Sequence, residues 1–369
     1  MKVLLMSVST GQGHHQAAKA AVAALESKGV ICDTLDVYEY ISPVYSDSLS
    51  KGYLISTKVS PKEYGRMYRW AEKNNSFTSP FSLGKLFNVI LSRKLTDYLD
   101  TYKPDVIVCT HVLSAHLVTV LQRKGYLKGV KVVGIVTDFT LHPFWEDTDI
   151  DYYVTPSHLM NLQLEKRGVP ISKVVPIGIP VGEQFSKKLS KAEARQCLGI
   201  ENKDTVLVMS GSMGYGNLSG LIEKIDNVPL DFQVLCVCGN NTKAKQKIDR
   251  MTTQKKVYNF GYVHNVPEMM DAADCIITKP GGLTSSEALA KGLFMVLINP
   301  IPGQEDRNSE FLVNNGAALR VTKTVPLDEA VYQVMANTWR RNQGNTMIGY
   351  LGKPNAATDF AEFVLSLQS

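Results

Sequence analysis

With 369 residues, 44% of them hydrophobic and 20% charged, the chain is long enough for two domains of ordinary size, each with its own core. Its longest apolar runs, such as 132–136 and 294–298, fall far below the ~20 residues of a membrane span, which excludes an integral membrane protein and leaves only peripheral contact. The net charge of +5 is modest but uneven, because the segment from Tyr45 to Lys94 holds nine Lys or Arg against three acids.

Met1-Lys2 leads into Val3-Leu4-Leu5-Met6, too short for a signal peptide's apolar region and followed by Gly and His instead of a cleavage site. A strand is expected over 3–8. It ends in Ser9-Thr10-Gly11-Gln12-Gly13-His14-His15, where glycines permit a tight turn and the next helix, 14–28, presents free N–H groups. That helix stops at Lys28-Gly29. A dinucleotide fingerprint needs a third glycine, but position 16 is Gln16, although Asp36 ends the second strand where a ribose-binding acid would sit.

Further strands are expected at 30–37, 105–110, 131–136, 151–155 and 173–177, with a helix over 113–124. Asp138 closes one of these strands. Asp147-Thr148-Asp149 matches an Asp-x-Asp metal signature, yet its polar surroundings read as a solvated loop. Gly178-Ile179-Pro180-Val181-Gly182 and a polar helical stretch from Ser190 to Gly199 place a hinge at 181–200. The expected domains are therefore 1–180 and 201–369, with a final helix able to pack back on the first.

The strand and helix alternation restarts at 205–209 and continues through 232–238, 256–260, 274–278 and 294–299. The fold class is α/β, with two Rossmann-like doubly wound lobes and ligands expected at the carboxyl ends of strands, in a cleft between the lobes. Strand 205–209 runs into Ser210-Gly211-Ser212-Met213-Gly214-Tyr215-Gly216, whose small residues allow close approach to a ligand. Thr278-Lys279-Pro280-Gly281-Gly282-Leu283-Thr284-Ser285-Ser286-Glu287 is a strand end, two glycines and a helix start, a backbone arrangement suited to a diphosphate without a metal. Glu287 has two readings: a capping box with Thr284, which spacing favours, or an outward carboxylate for ribose hydroxyls.

The six cysteines are scattered, and five lie in or beside apolar strand-like runs, so they read as reduced thiols of a cytosolic protein. Cys236 and Cys238 share one strand face, but no second Cys or His pair completes a zinc set.

Gly11-Gln12-Gly13-His14, Val136-Thr137-Asp138 with His142-Pro143-Phe144-Trp145, and Thr278-Lys279-Pro280-Gly281-Gly282 with Ser286-Glu287-Ala288 and Pro302-Gly303-Gln304-Glu305 together resemble the bacterial processive diacylglycerol glucosyltransferases and plant monogalactosyldiacylglycerol synthases, relatives of the lipid II-forming peptidoglycan glycosyltransferase. The resemblance covers nearly the whole chain and implies a glycosyltransferase B fold and an inverting, metal-independent transfer of glucose or galactose from a UDP-sugar to a diacylglycerol-type acceptor, with no cofactor. It implies that His14 is the base and that Gly281, Gly282, Leu283 and Thr284 hold the diphosphate. It favours the ribose role for Glu287, assigns the sugar to Gln304 and Glu305, and makes Phe260, Tyr262 and Val263 the uracil loop.

Gly13, Ser212 and Gly214 complete the expected donor site, and Asp138 is expected to assist the imidazole or contact the acceptor. His142 and Trp145 are placed toward the acceptor. Gln12 departs from the glycine or asparagine of many relatives, and His15 directly after His14 leaves open which imidazole acts. The expected partners are a UDP-hexose, a lipid acceptor and an anionic membrane surface reached by Lys62, Arg66, Arg69 and Trp70 on the inner face of the cell membrane, with no nucleic acid. A UDP-sugar epimerase and a non-catalytic UDP-hexose sensor are the alternatives.

Overall fold

The computed structural model describes residues 1–8, 12–41, 94–214 and 216–368. Apart from Lys94, the basic segment with Lys62, Arg66, Arg69 and Trp70 lies outside the described residues, as do Gly11 and Tyr215. The chain divides into two compact units: unit 1 comprises Met1–Glu183, Ile301–Gln304 and Asn355–Ser369, and unit 2 comprises Gln184–Pro300 and Glu305–Pro354.

Unit 1 holds a six-stranded parallel sheet of β1 (Lys2–Ser7), β2 (Ile31–Asp36), β3 (Val106–Cys109), β4 (Lys131–Ile135), β5 (Tyr152–Val154) and β6 (Val174–Val175), in the order 2-1-3-4-5-6. The central strands β1, β3 and β4 are runs of Val, Ile and Leu, as a parallel sheet covered on both faces requires, whereas the edge strand β2 is polar and partly exposed. Helix α1 (Gln12–Ser27) is rich in alanine, which favours the helix and lets Ala17, Ala18, Ala20 and Ala21 bury close to the sheet. Gly29, at φ 78°, ends it in the left-handed conformation that glycine adopts without strain. Helix α2 (Val112–Arg123) follows β3. The C-terminal helix, α5 (Ala356–Ser366), packs on α1, and its Phe360, Ala361 and Val364 join Val3, Leu5, Ala21, Leu25 and Val108 in one core.

Unit 2 repeats the device with β7 (Thr205–Met209), β8 (Gln233–Val237), β9 (Val257–Phe260), β10 (Cys275–Thr278), β11 (Phe294–Leu297) and β12 (Ala318–Arg320), ordered 12-11-10-7-8-9. The three-residue β12 is absent from the sequence expectation because it carries no apolar run of strand length. Helices α3 (Gly282–Lys291) and α4 (Gln304–Asn314) follow β10 and β11. The polar helix Lys191–Cys197, capped by Ser190 and Glu193, belongs to this unit: buried Arg195 pairs with Asp274 at 2.8 Å.

Both strand orders contain a reversal. In unit 1 the chain winds from β1 to β2 and then crosses to β3 on the other side of β1. In unit 2 it winds from β7 through β8 to β9 and then crosses to β10. Loops leaving the carboxyl ends of the two strands at a reversal diverge and open a crevice, where ligands of such sheets bind. The candidate site residues lie largely on these loops.

Candidate active site

At the reversal of unit 1, His14 sits in the first turn of α1, half-buried, while His15 points to solvent. The His14 Nδ1 lies 2.8 Å from the main-chain carbonyl of Thr110, just past β3, and 2.9 Å from the Thr137 hydroxyl, just past β4. A carbonyl only accepts, so Nδ1 carries the proton and Nε2 keeps its lone pair. Burial lowers the His14 pKa below the ordinary imidazole value, and the Thr110 carbonyl partly offsets this. The ring is therefore neutral near pH 7, as a general base requires.

Three more imidazoles gather here. His111 meets His14 edge to face at 4.8 Å between ring centres. Its Nδ1 accepts from the Leu113 N–H and caps α2, so the proton is on Nε2. Burial, followed by the proximity of His14, His142 and His116, drives its pKa well below the usual value. His142 caps the short helix Pro143–Asp147 in the same way through the Phe144 N–H, and burial, then Arg167, pushes it down to about 4.

Asp138 accepts a hydrogen bond from the Gln304 side chain. Trp145 is not a surface residue: it is 5% exposed and packs over Gly134, where a Cβ would come within 2.7 Å of its ring. The indole fills the core beside Tyr153 and Ile150. The Asp147-Thr148-Asp149 loop carries an ion pair between exposed Asp149 and Lys173 at 3.7 Å. Among the described residues, no group of three or more His, Cys, Asp or Glu is placed to hold a metal ion.

In unit 2 the site is built from backbone. The loop after β7 locks onto the turn after β8: the Ser212 carbonyl accepts from the Asn240 N–H at 2.8 Å, and the Gly214 carbonyl from the Asn241 side chain at 2.8 Å. Gly214 has φ 56°, and a Cβ there would lie 2.0 Å from the Cys238 carbonyl oxygen, so only glycine fits.

After β10, helix α3 begins with Gly281 as N-cap and no side-chain cap. The N–H groups of Gly282, Leu283 and Thr284 thus form its uncapped first turn, with the positive end of the helix dipole behind them. The capping box expected from Thr284 and Glu287 does not form: the helix starts two residues before Thr284, which places Glu287 in the second turn. The Glu287 side chain is half-buried, and desolvation pushes its pKa up to about 8.

Asn308, fully buried on α4, donates to the Pro280 carbonyl at 2.9 Å and fixes the bend before the glycines. Glu305 pairs with Lys279 at 3.2 Å, both largely buried. Beyond β9, Phe260 and Val263 are half-buried and Tyr262 is 52% exposed with its ring 5.2 Å from that of His264. Gly13 lies beside His14 in the first turn of α1.

The residues missed from sequence are Thr110, Thr137, His111 and His116. His111 carried a usable signal, since it stands at a strand end and a helix start, as His14 does. Thr137 lies inside the Val136-Thr137-Asp138 motif, where nothing local distinguishes it from a strand-end threonine.

Residues 14–181 match the monogalactosyldiacylglycerol (MGDG) synthase family, and residues 205–360 match the glycosyltransferase family 28 C-terminal domain. The processive diacylglycerol beta-glucosyltransferase of Bacillus cereus is 30% identical over 332 residues, covering 86% of this chain and 81% of that protein. The chain belongs to the processive diacylglycerol beta-glucosyltransferase family. Other family members from Bacillus subtilis and Bacillus cytotoxicus are each 28% identical, over 91% and 99% of this chain and 87% and 93% of their own lengths. A member of this family is an enzyme of the glycosyltransferase class, which sets the sensor alternative aside.

In fold, the family member is similar to Acinetobacter baumannii MurG, with a TM-score of 0.65 at 15% identity and 99% of both chains covered. It is also similar to a UDP-GlcNAc 2-epimerase from Neisseria meningitidis, with a TM-score of 0.59 at 14% identity and 99% and 100% coverage. Because an epimerase shares the fold, architecture alone does not decide the reaction.

Proposed function

We propose that the protein transfers a glucosyl residue from UDP-glucose to the hydroxyl of diacylglycerol with inversion, giving a β-glucoside, and needs no metal. The observation that carries this is a half-buried imidazole whose Nδ1 is committed to the Thr110 carbonyl, in a chain whose full-length relatives are named as diacylglycerol beta-glucosyltransferases. Those names favour glucose over galactose and diacylglycerol over another lipid, and transfer over epimerisation.

In the reaction, His14 Nε2 takes the proton of the acceptor hydroxyl as its oxygen attacks the anomeric carbon from the face opposite the diphosphate. The bond to UDP breaks, and the charge that develops on the diphosphate is met by the uncapped N–H groups of α3. Glu287 binds the ribose hydroxyls, the residues around Tyr262 bracket uracil, and Gln304 and Glu305 contact the glucose.

No helix among the described residues is long and apolar enough to cross a membrane. The lipid acceptor is reached from the surface, where the segment from Tyr45 to Lys94 supplies positive charge through Lys62, Arg66 and Arg69 and an aromatic anchor through Trp70 for an anionic leaflet facing the cytoplasm. Sedimentation with vesicles is expected to rise with anionic lipid and fall with salt. The activity itself is tested by UDP release from UDP-glucose in mixed micelles. Release that depends on diacylglycerol supports the proposal, and release that ignores the lipid refutes it.

A further inference from the structure

We infer that Thr137, together with the main-chain carbonyl of Thr110, is a positioning residue that holds His14 in the Nδ1–H tautomer and aims its Nε2 lone pair at the acceptor. The inference rests on the reading of His14 as the base. It starts from two oxygens around one nitrogen: the Thr110 carbonyl at 2.8 Å and the Thr137 hydroxyl oxygen at 2.9 Å. Were Nδ1 unprotonated, its lone pair would face the carbonyl lone pairs at hydrogen-bond distance, so the hydroxyl cannot be donating to it. With the proton on Nδ1, both oxygens accept, and the contact is satisfied at once. The ring cannot flip without placing a carbon against both oxygens.

The two holders come from far along the chain, 96 and 123 residues from His14, and are brought together because β3 and β4 lie in order beside β1. The carbonyl alone leaves the ring free to tilt about a single hydrogen bond. The hydroxyl, on a side chain only 8% exposed, adds a second point of attachment and fixes the plane. The neighbouring imidazoles leave this role to Thr137, because His111 and His142 spend their Nδ1 atoms on the Leu113 and Phe144 N–H groups. Thr137 makes no bond to substrate and acts through His14.

The titratable groups that face His14 are His111 after β3 and His142 after β4, with His116 on α2 behind those two; His15, on its own helix, is exposed. Both oxygens stabilise the imidazolium more than the neutral ring, because its N–H is the stronger donor. Removing one makes His14 less basic, so the acid limb of the pH profile moves to lower pH.

Turnover with UDP-glucose and diacylglycerol, measured across pH for Thr137→Val, Thr137→Ser and His14→Ala, tests the inference. Valine keeps the shape and removes the oxygen, and turnover is expected to fall roughly five- to tenfold with the KM for UDP-glucose unchanged and the acid limb displaced downward. Serine restores most of the loss. Thr137→Val with wild-type turnover and pH profile overturns the inference, as does a serine variant as impaired as the valine one. Full activity in His14→Ala instead overturns the base reading itself, whereas an inactive His14→Ala beside a silent Thr137→Val sinks only the positioning role. Should Thr137→Val fail to fold, the histidine nitrogen chemical shifts of the wild-type enzyme decide: a proton on Nδ1 of His14 supports the assignment, and one on Nε2 refutes it.

Discussion

The two candidate sites, one in each unit, are built from different materials. In unit 1 the chemistry belongs to side chains: an imidazole held by a carbonyl and a hydroxyl, with three more imidazoles around it. In unit 2 it belongs to the backbone: an uncapped helix start and a loop whose glycine at 214 admits no side chain. A base must change protonation state, which requires a titratable group in a tuned setting. A diphosphate needs only fixed donors, which peptide N–H groups supply without titrating. Mutations should therefore affect turnover in the first region and affinity in the second.

The largest expected effect is that of His14→Ala, a loss of about 10²–10⁴ in turnover with UDP affinity nearly unchanged, measured by steady-state kinetics and calorimetric titration. His15→Ala, at an exposed position, should be mild. The reverse ranking would move the base to His15. Next comes Gly214→Ala, whose methyl must displace the Cys238 carbonyl. It should lower stability by roughly 1–3 kcal/mol and weaken UDP binding together, read from thermal melts and titration.

Gly281→Ala sharpens the contrast, because a Cβ there meets nothing within 4 Å and φ is −71°. Stability should change by less than about 1 kcal/mol while UDP affinity falls, since the methyl intrudes only on a bound ligand. A stability loss without an affinity loss would remove these N–H groups from the donor site.

Glu287 lets pH probe unit 2. Its folded pKa of about 8 lies above the ordinary carboxyl value of 4.5, so the folded state holds a proton that the unfolded state has released. The stability this contributes is fully present below about pH 4.5 and is lost as pH rises through 8. The melting temperature of the wild type should therefore fall more between pH 5 and 8 than that of Glu287→Gln, and parallel curves would contradict the burial. The smallest effect is expected from Asp147→Ala with Asp149→Ala and from chelator. The Asp149–Lys173 pair is exposed, and such pairs contribute little. Activity lost in chelator and restored by magnesium would overturn the metal-free reading.

Much of this was legible in the sequence, to an extent that depended on how local the cause was. All the strands but β12 were legible as strand-like segments, and the glycine loops showed at strand ends, because both are set by neighbouring residues. Whether His14 or His15 turns inward was not legible, because the decision is made by Thr110 and Thr137, more than ninety residues away. The burial of Trp145 was not legible for the same reason: Gly134, on a strand, leaves the space that the indole fills. The capping box failed because Gly281 and Gly282 let the helix begin early, which spacing from Thr284 to Glu287 does not reveal.

The central claim is that the protein transfers glucose by a single displacement with His14 as the base. Its most direct test is the anomeric configuration of the glycolipid formed from UDP-glucose and diacylglycerol, read by proton NMR. A single displacement predicts a β-glucoside from the wild type and none from His14→Ala. An α-glucoside, or a UDP-sugar epimer with no glycolipid, would contradict the account.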